Sequence, residues 1–340
     1  MATAGHGDQM SRGRSPTIKD VAKVAGVSSA TVSYVLNDLN KVTPEVDALV
    51  RRVAKELGYS RNNAARALKT GRNNIIGCIL PTLTSPVFPE IAQAVQLRAE
   101  AHGYATLVID SGNAPMREEK VVRTLAKHGV DGAVALLHPK FKPADPPLFP
   151  IVSLDAKFPG LDSVHADHYA GGRLMAEHAI ALGHRRIGML SGFQDLTSSF
   201  ERRQGFVDAA AGRVELVWEV NVHLVPQLPP VAVEAIRRRE VTMIACVNDL
   251  VAIAALSVLK DSGMSAPGDV SVFGFDDMQW ASWPLIDLTT IRQPLAELGS
   301  RAADLLISRL DDRQRPVEDL VLPVTLVERG STARVGLPLP

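Results

Sequence analysis

Two cysteines among 340 residues are too few for a disulfide framework, and nothing near either suggests a set of metal ligands. Cys78 and Cys246 each lie inside an apolar run that reads as a buried strand, so both are expected as inert buried thiols. No run approaches eighteen consecutive apolar residues, which excludes a membrane-spanning helix. The first fifteen residues are rich in Gly, Ser, Arg and Asp without an apolar segment, so no signal peptide is expected and a cytoplasmic location is. A phosphate loop of the GxxxxGK type, a GxSxG elbow and a nucleophile with its base are all missing. No catalytic role and no cofactor are therefore expected.

Net charge is missing as well, with 37 Lys and Arg against 37 Asp and Glu. The balance hides a division. Residues 11–72 carry twelve basic and five acidic side chains, net +7, whereas residues 73–340 carry 25 against 31, net −6. A basic head on an acidic body is the electrostatic footprint of a nucleic-acid-binding module attached to something else.

What is present begins with residues 17–37, TIKDVAKVAGVSSATVSYVLN. Ile18, Val21, Ala22 and Ala25 fall on one helical face, Gly26 can turn with φ > 0, and Ser28 is placed to cap a second helix. This pattern is a helix-turn-helix. In its second helix Val32, Val35 and Leu36 turn inward, while Ala30, Ser33, Tyr34 and Asn37 share the opposite side. Thr43 and Pro44 then cap and open a third helix with an apolar stripe of Val46, Leu49, Val50, Val53 and Leu57. A helix entering the major groove sets its first residues nearest the base edges, so Ser29, Ala30, Ser33 and Tyr34 are the candidate readers. Thr17, Thr31 and Asn37 suit phosphate contacts, which fix register without carrying sequence information.

From residue 74 onward, short apolar runs alternate with amphipathic patterns. Strands are expected at 75–80, 106–110, 132–137, 151–154, 186–190, 216–220, 243–247 and 270–275, with a polar strand near 164–167. Helices are expected at 89–102, 118–128, 169–182, 200–210, 231–238, 249–263 and 295–310. Such alternation argues for parallel sheets covered on both faces. The polar residues that recur at strand ends, among them Asp155, Asn248 and Asp276, mark where an open parallel sheet binds ligands.

The string at 17–37 resembles the signature of the lactose and galactose repressor (LacI/GalR) family, matching at Thr17, Ile18, Asp20, Val21, Ala22, Ala25, Gly26, Val27, Ser28, Thr31, Val32, Ser33, Val35, Leu36 and Asn37. The resemblance runs on to the LVERGSTA ending at Ala333. It implies an all-α helix-turn-helix domain followed by an α/β two-lobed core, similar to periplasmic binding proteins, with parallel sheets. The expected division is a disordered tail at 1–15, the DNA-binding domain at 16–60, a hinge helix at 61–72, the effector-binding and dimerisation core at 73–333 and a tail at 334–340. The final helix, 295–310, would return to the first lobe.

By that resemblance Ser29, Ala30 and Tyr34 occupy positions that vary with operator sequence. Tyr34 stands where some members have arginine, which removes a bidentate guanine contact. The hinge would set Asn62, Ala65, Arg66, Leu68 and Lys69 against the minor groove, with Leu68 as an apolar wedge. Arg61 stands where the family often has proline. Arg202, three residues before Gly205, matches the effector-binding arginine, and Asn248 and Asp276 match its partners. Asp155, Ser85 and Phe88 complete the expected effector set. The aromatic wall of that site is thin here, and Trp280 and Trp283 are its candidate replacements.

Asp249 is expected as a helix N-cap, and for Asp277 an N-cap and a ligand contact are equally expected. His165 and His168 flank Asp167 but would not converge on a metal without a further ligand. The whole describes a homodimeric transcription factor, most readily a repressor, that binds a palindromic duplex operator and a sugar-like or nucleoside-like effector. Dimerisation follows from two half-sites and from a hinge too short to fold alone. No leucine heptads follow Ala333, so the dimer need not become a tetramer. A cytoplasmic small-molecule binding protein or an enzyme of the same core fold are the competing readings.

Overall fold

The computed structural model describes residues 16–36, 39, 41–59, 71–112, 114–144 and 147–336. The chain divides into two units, Met1–Asn73 and Asn74–Pro340.

In the first unit, helices α1 (Ile18–Ala25), α2 (Ser29–Leu36) and α3 (Pro44–Glu56) enclose a small core of Val21, Ala22, Ala25, Val32, Val35, Val50, Val53 and Ala54. Each end of α1 has a local cause. The Asp20 carboxylate accepts from the Thr17 amide at 2.8 Å and the Thr17 hydroxyl at 2.7 Å, and Gly26 at φ +67° ends the helix. Ser28 Oγ accepts from the Thr31 amide at 3.0 Å, the N-cap expected for α2. Pro44 opens α3 at N1, where its missing N–H costs nothing.

The second unit starts as β1 (Ile75–Leu80), α4 (Val87–Ala101), β2 (Ala105–Asp110), α5 (Pro115–Lys127), β3 (Gly132–Leu136), β4 (Ile151–Leu154) and β5 (Asp162–Ala166). It continues with α6 (His168–Ala181), β6 (Arg186–Ser191), α7 (Thr197–Ala210), β7 (Glu215–Asn221), α8 (Pro230–Arg237), β8 (Met243–Cys246), α9 (Asp249–Asp261) and β9 (Ser271–Phe273). A 3-10 turn (Gln279–Ser282), β10 (Thr290–Arg292), α10 (Leu295–Asp311), β11 (Asp319–Leu322) and β12 (Thr325–Val327) close the chain.

Two parallel sheets result. The first lobe orders its strands β11-β5-β4-β3-β1-β2, and the second β7-β6-β8-β9. A separate antiparallel pair joins β10 to β12. Helix α10 packs on α4 and on β3, β4 and β5, so it returns to the first lobe as expected. Strands β11 and β12 were not expected. They are four and three residues long and separated by Pro323, too short for a strand period to show. The polar strand near 164–167 is β5, whose buried Asp162 is gripped at both oxygens by Arg309 at 2.9 Å.

Both cysteines are free and buried, and burial pushes the Cys78 thiol up to about 12 and that of Cys246 up as well. No described helix is long and apolar enough to cross a membrane.

The closest approach that positions the site is between α6 and α7. A Cβ on Gly172 would lie 1.9 Å from the Arg202 carbonyl oxygen, and one on Gly205 would lie 2.0 Å from that of Tyr169. The two helices therefore touch backbone to backbone. Replacing Gly172 by Ala forces them apart and should destabilise the core by roughly 1–3 kcal/mol. Urea unfolding of the core would read this as a lowered midpoint, whereas an unchanged midpoint would mean the crossing relaxes without cost.

Candidate functional site: an outward helix face and an interlobe cleft

In the first unit, α2 buries Val32 and Val35 and leaves Ser29, Ala30 and Tyr34 exposed. Tyr34 does not pack into the three-helix core, and the Lys41 ammonium sits 5.4 Å from its ring centroid. Ser33 is half-buried on the same helix. The Thr31 hydroxyl lies 2.8 Å from Ser28 Oγ, and both donors of Thr17 go to Asp20. These two threonines build helix starts in the structure. Arg51 donates to the Val35 carbonyl at 3.0 Å and pairs with Asp47, so it closes the end of α2. Asn37 and the hinge residues Asn62, Ala65, Arg66, Leu68 and Lys69 lie outside the described residues.

In the second unit, the cleft is built from strand ends. Asp155 follows β4 at φ +67°, Asn248 follows β8 after Val247, and Asp276 follows β9 at φ +117°. Arg202 arrives from α7, placed by the glycine crossing. Its Nη1 donates to the Val247 carbonyl at 2.8 Å and lies 3.4 Å from Asp276 Oδ1. Its guanidinium carbon sits 3.8 Å from the Phe275 ring centroid. Gln293 Nε2 donates to Asp276 Oδ1 at 2.7 Å.

A residue absent from the expected set ties these together. His168 is fully buried, takes the Arg202 Nε–H at Nδ1 (3.3 Å) and reaches Asp155 Oδ1 from Nε2 at 3.0 Å. Arg202, Asp155 and Asp276 thus meet in one network, as the sequence implied. Asn248 makes no described bond to it; its Oδ1 caps α9 by accepting from the Val251 amide at 2.9 Å. Among the described residues, neither Ser85 nor Phe88 hydrogen-bonds to the Arg202 cluster, and Phe88 packs half-buried on the core. Trp283 is exposed, and Trp280 lines a groove of about 460 Å³ beside α4 with Pro86, Glu90, Ala94, Leu97 and Met278. Neither tryptophan lies against Arg202.

Two capping expectations need correction. Asn248, not Asp249, caps α9, while buried Asp249 accepts from the Met278 amide at 2.8 Å and the Thr290 hydroxyl at 2.6 Å. Asp277 caps nothing and instead binds Arg292 and Arg329, both at 2.6 Å. His165 turns away from His168 to Asp319, 3.2 Å off. Sequence reading also missed an aromatic pair at the cleft-side ends of β6 and β7, where Phe193 and His223 lie with ring centroids 4.7 Å apart. The signal was available, since each stands two residues past a strand end.

Electrostatics divide the carboxylates. Burial raises Asp155, but His168, Arg202 and the Ser198 hydroxyl outweigh it and hold the carboxyl below its ordinary range. Burial pushes Asp276 up to about 6, against Arg202 and Gln293 which pull it down. Burial and then the charge of Asp276 push Asp249 well up. Arg202 serves Asp155 and Asp276 but not Asp249, and the three acids cannot all ionise cheaply.

Residues 17–62 match the model of bacterial regulatory proteins of the lacI family, and residues 176–332 match a periplasmic binding protein-like domain. A transcriptional repressor named PurR from Mannheimia succiniciproducens is 32% identical over 94% of this chain and 99% of its own. The chain belongs to the lacI family. The Lac repressor dimer bound to operator and an anti-inducer matches at TM-score 0.80 and 26% identity, covering 94% of this chain and all of that one. A CelR–cellobiose complex matches at TM-score 0.66 and 29% identity over 93% of this chain and 99% of that one. This family member is accordingly a DNA-binding transcriptional regulator with an effector-binding core.

The raised Asp276 carboxyl has a signed consequence. A group whose folded pKa lies above its unfolded value stabilises the fold below the unfolded pKa and loses that contribution as pH rises through the folded one. Between about pH 4 and 6 the core should lose on the order of 3 kcal/mol from this group. Asp276→Asn should flatten that part of the stability profile. Parallel urea profiles for wild type and variant across the window would remove Asp276 as the cause.

Proposed function

We propose that this protein is a cytoplasmic, homodimeric repressor that binds a palindromic operator through α2 and takes a small hydroxyl-bearing effector in its interlobe cleft. The observation that carries the reading is the outward face of α2, small and polar at Ser29 and Ala30 with Tyr34 beside them, on a unit whose described aliphatic side chains, apart from exposed Val24 and Leu39, pack into or against its core. Phosphate contacts at Asn37, and a minor-groove wedge at Leu68 with Asn62, Ala65, Arg66 and Lys69, rest on the family resemblance. The relatives are named as repressors, which supports regulation over catalysis.

The cleft supports a neutral effector with adjacent donors and acceptors. Nη2 of Arg202 and Nδ2 of Asn248 are donors beyond the bonds described above, and Asp155 and Asp276 supply acceptors. More carboxylates than cations line it, which disfavours a phosphorylated or carboxylated ligand. A CelR regulator binds cellobiose, and a sugar-like or nucleoside-like molecule suits this donor set.

Dimerisation draws support from exposed apolar side chains. Edge strand β2 exposes Leu107 and Val108, Leu97 is exposed on α4, and Trp283 and the fully exposed Leu285 follow the 3-10 turn. An uncovered edge with apolar residues invites pairing.

Selection from a random duplex pool should return a palindrome with half-sites about one helical turn apart, bound with an affinity that falls steeply with salt. Equal binding to scrambled duplex would sink the repressor reading. Replacing Leu285 by Asp should shift the dimer toward monomer in sedimentation and weaken operator binding together. A variant that remains fully dimeric would place the interface on another face.

A further inference from the structure

His168 opens α6 directly after the chain leaves β5, so it stands where the first lobe hands over to the second. Its two ring nitrogens have different partners. A guanidinium Nε–H carries a hydrogen and no lone pair able to accept, so the Nδ1 that meets Arg202 must be the bare nitrogen. The remaining hydrogen of a neutral ring then sits on Nε2, where it points at Asp155 Oδ1. Direction along this line is forced: Arg202 donates to His168, and His168 donates to Asp155.

That line decides what both ends have left. Arg202 spends Nε on His168 and Nη1 on the Val247 carbonyl and Asp276, and its face lies on Phe275. Asp155 spends Oδ1 on His168, yet its side chain stays 34% exposed. The charged groups facing the ring are Asp155 from the end of β4, Arg202 from α7 and, beyond Arg202, Asp276 after β9.

Resting on the reading that the effector binds at Arg202 and Asp276, we propose that His168 is a positioning residue of the effector site. It holds Arg202 and Asp155 in one directed line, so that Nη2 of the first and the part-exposed carboxylate of the second, which also takes the Ser198 hydroxyl, offer a donor and an acceptor to a hydroxyl group. No ring nitrogen of His168 contacts the effector. A leucine there would fill the space but leave Arg202 Nε without an acceptor and Asp155 with the Ser198 hydroxyl but without its histidine donor. A glutamine can accept with its oxygen and donate with its nitrogen, so it can restore the line.

The test uses the full-length protein labelled with 15N at its nine histidines, with the signals missing from His168→Gln assigned to His168. At neutral pH these should report a hydrogen on Nε2 and a bare Nδ1. Carbon-13 labelling of the aspartates should show the Asp155 titration moved up by about one pH unit or more in His168→Leu, and near wild type in His168→Gln. An Nδ1–H ring, a ring exchanging between both forms, or an unmoved Asp155 in His168→Leu would each overturn the proposal. If His168→Leu does not fold, the tautomer in wild type and the Asp155 titration in His168→Gln still decide. None of these readouts needs an effector. A correct tautomer together with an effector response that survives Arg202→Ala would refute the site reading and leave the placement of His168 standing.

Discussion

The backbone contact between α6 and α7 is the constraint on which the cleft depends. Only glycine lets a helix backbone come this close, because a Cβ at Gly172 or Gly205 would overlap the carbonyl oxygen of Arg202 or Tyr169. The contact falls one turn from the start of α6, at residue 172, while His168 occupies that start. The same contact therefore fixes the distance from His168 to Arg202 at 3.3 Å. A wider helix pair would bury Arg202 without a partner at Nε, and a buried unpaired guanidinium hydrogen is costly. Packing of two residues without side chains thus sets the geometry of the most charged group in the fold.

Charge in the cleft follows from this placement. Asp155 and Asp276 flank Arg202, Asp249 lies beside Asp276, and each is treated differently by its surroundings. Asp155 keeps its charge because three polar neighbours favour it. Asp249 is spent on the Met278 amide and Thr290 hydroxyl, which fasten the segment after β9 to α9. Asp276 is the marginal member, with a carboxyl near the point where small changes in its surroundings alter its protonation. A ligand that donates a hydrogen bond to Asp276 favours its ionised form, and one that excludes water without donating favours the neutral form.

Much of this was legible in the sequence, and for specific reasons. Period 3.6 in α1 and α3, Gly26 past the end of α1, and Ser28 and Pro44 at helix starts are local signals, and local chemistry decides those elements. Apolar runs between amphipathic segments located the buried strands. Strands β11 and β12 escaped because four and three residues on either side of Pro323 are too short for a strand period to show. The N-cap at α9 was assigned one residue late, since Asn248 and Asp249 are equally able to cap and only the tertiary bond from Met278 removes Asp249 from contention. His168 could not be read at all from spacing. Its role comes from Asp155 thirteen positions before it and Arg202 thirty-four after it, and no local pattern encodes that meeting.

Control of DNA binding by the cleft then becomes a question of magnitude. Coupling between two sites amounts to the effector's differential affinity for two states, typically about 1–3 kcal/mol. A single satisfied or orphaned hydrogen bond in a buried charged network is of that size, roughly 1–3 kcal/mol. The line from Asp155 through His168 and Arg202 to Asp276 contains several such bonds, and it joins the end of β4 in one lobe to α7 and the end of β9 in the other. An effector that completes the free positions on this line therefore needs no extensive contact surface to bias the lobes. On the proposed effector site, one well-placed hydroxyl between Arg202 and Asp155 would supply differential energy of the required order, because the rest of the line is already held in place by the glycine crossing.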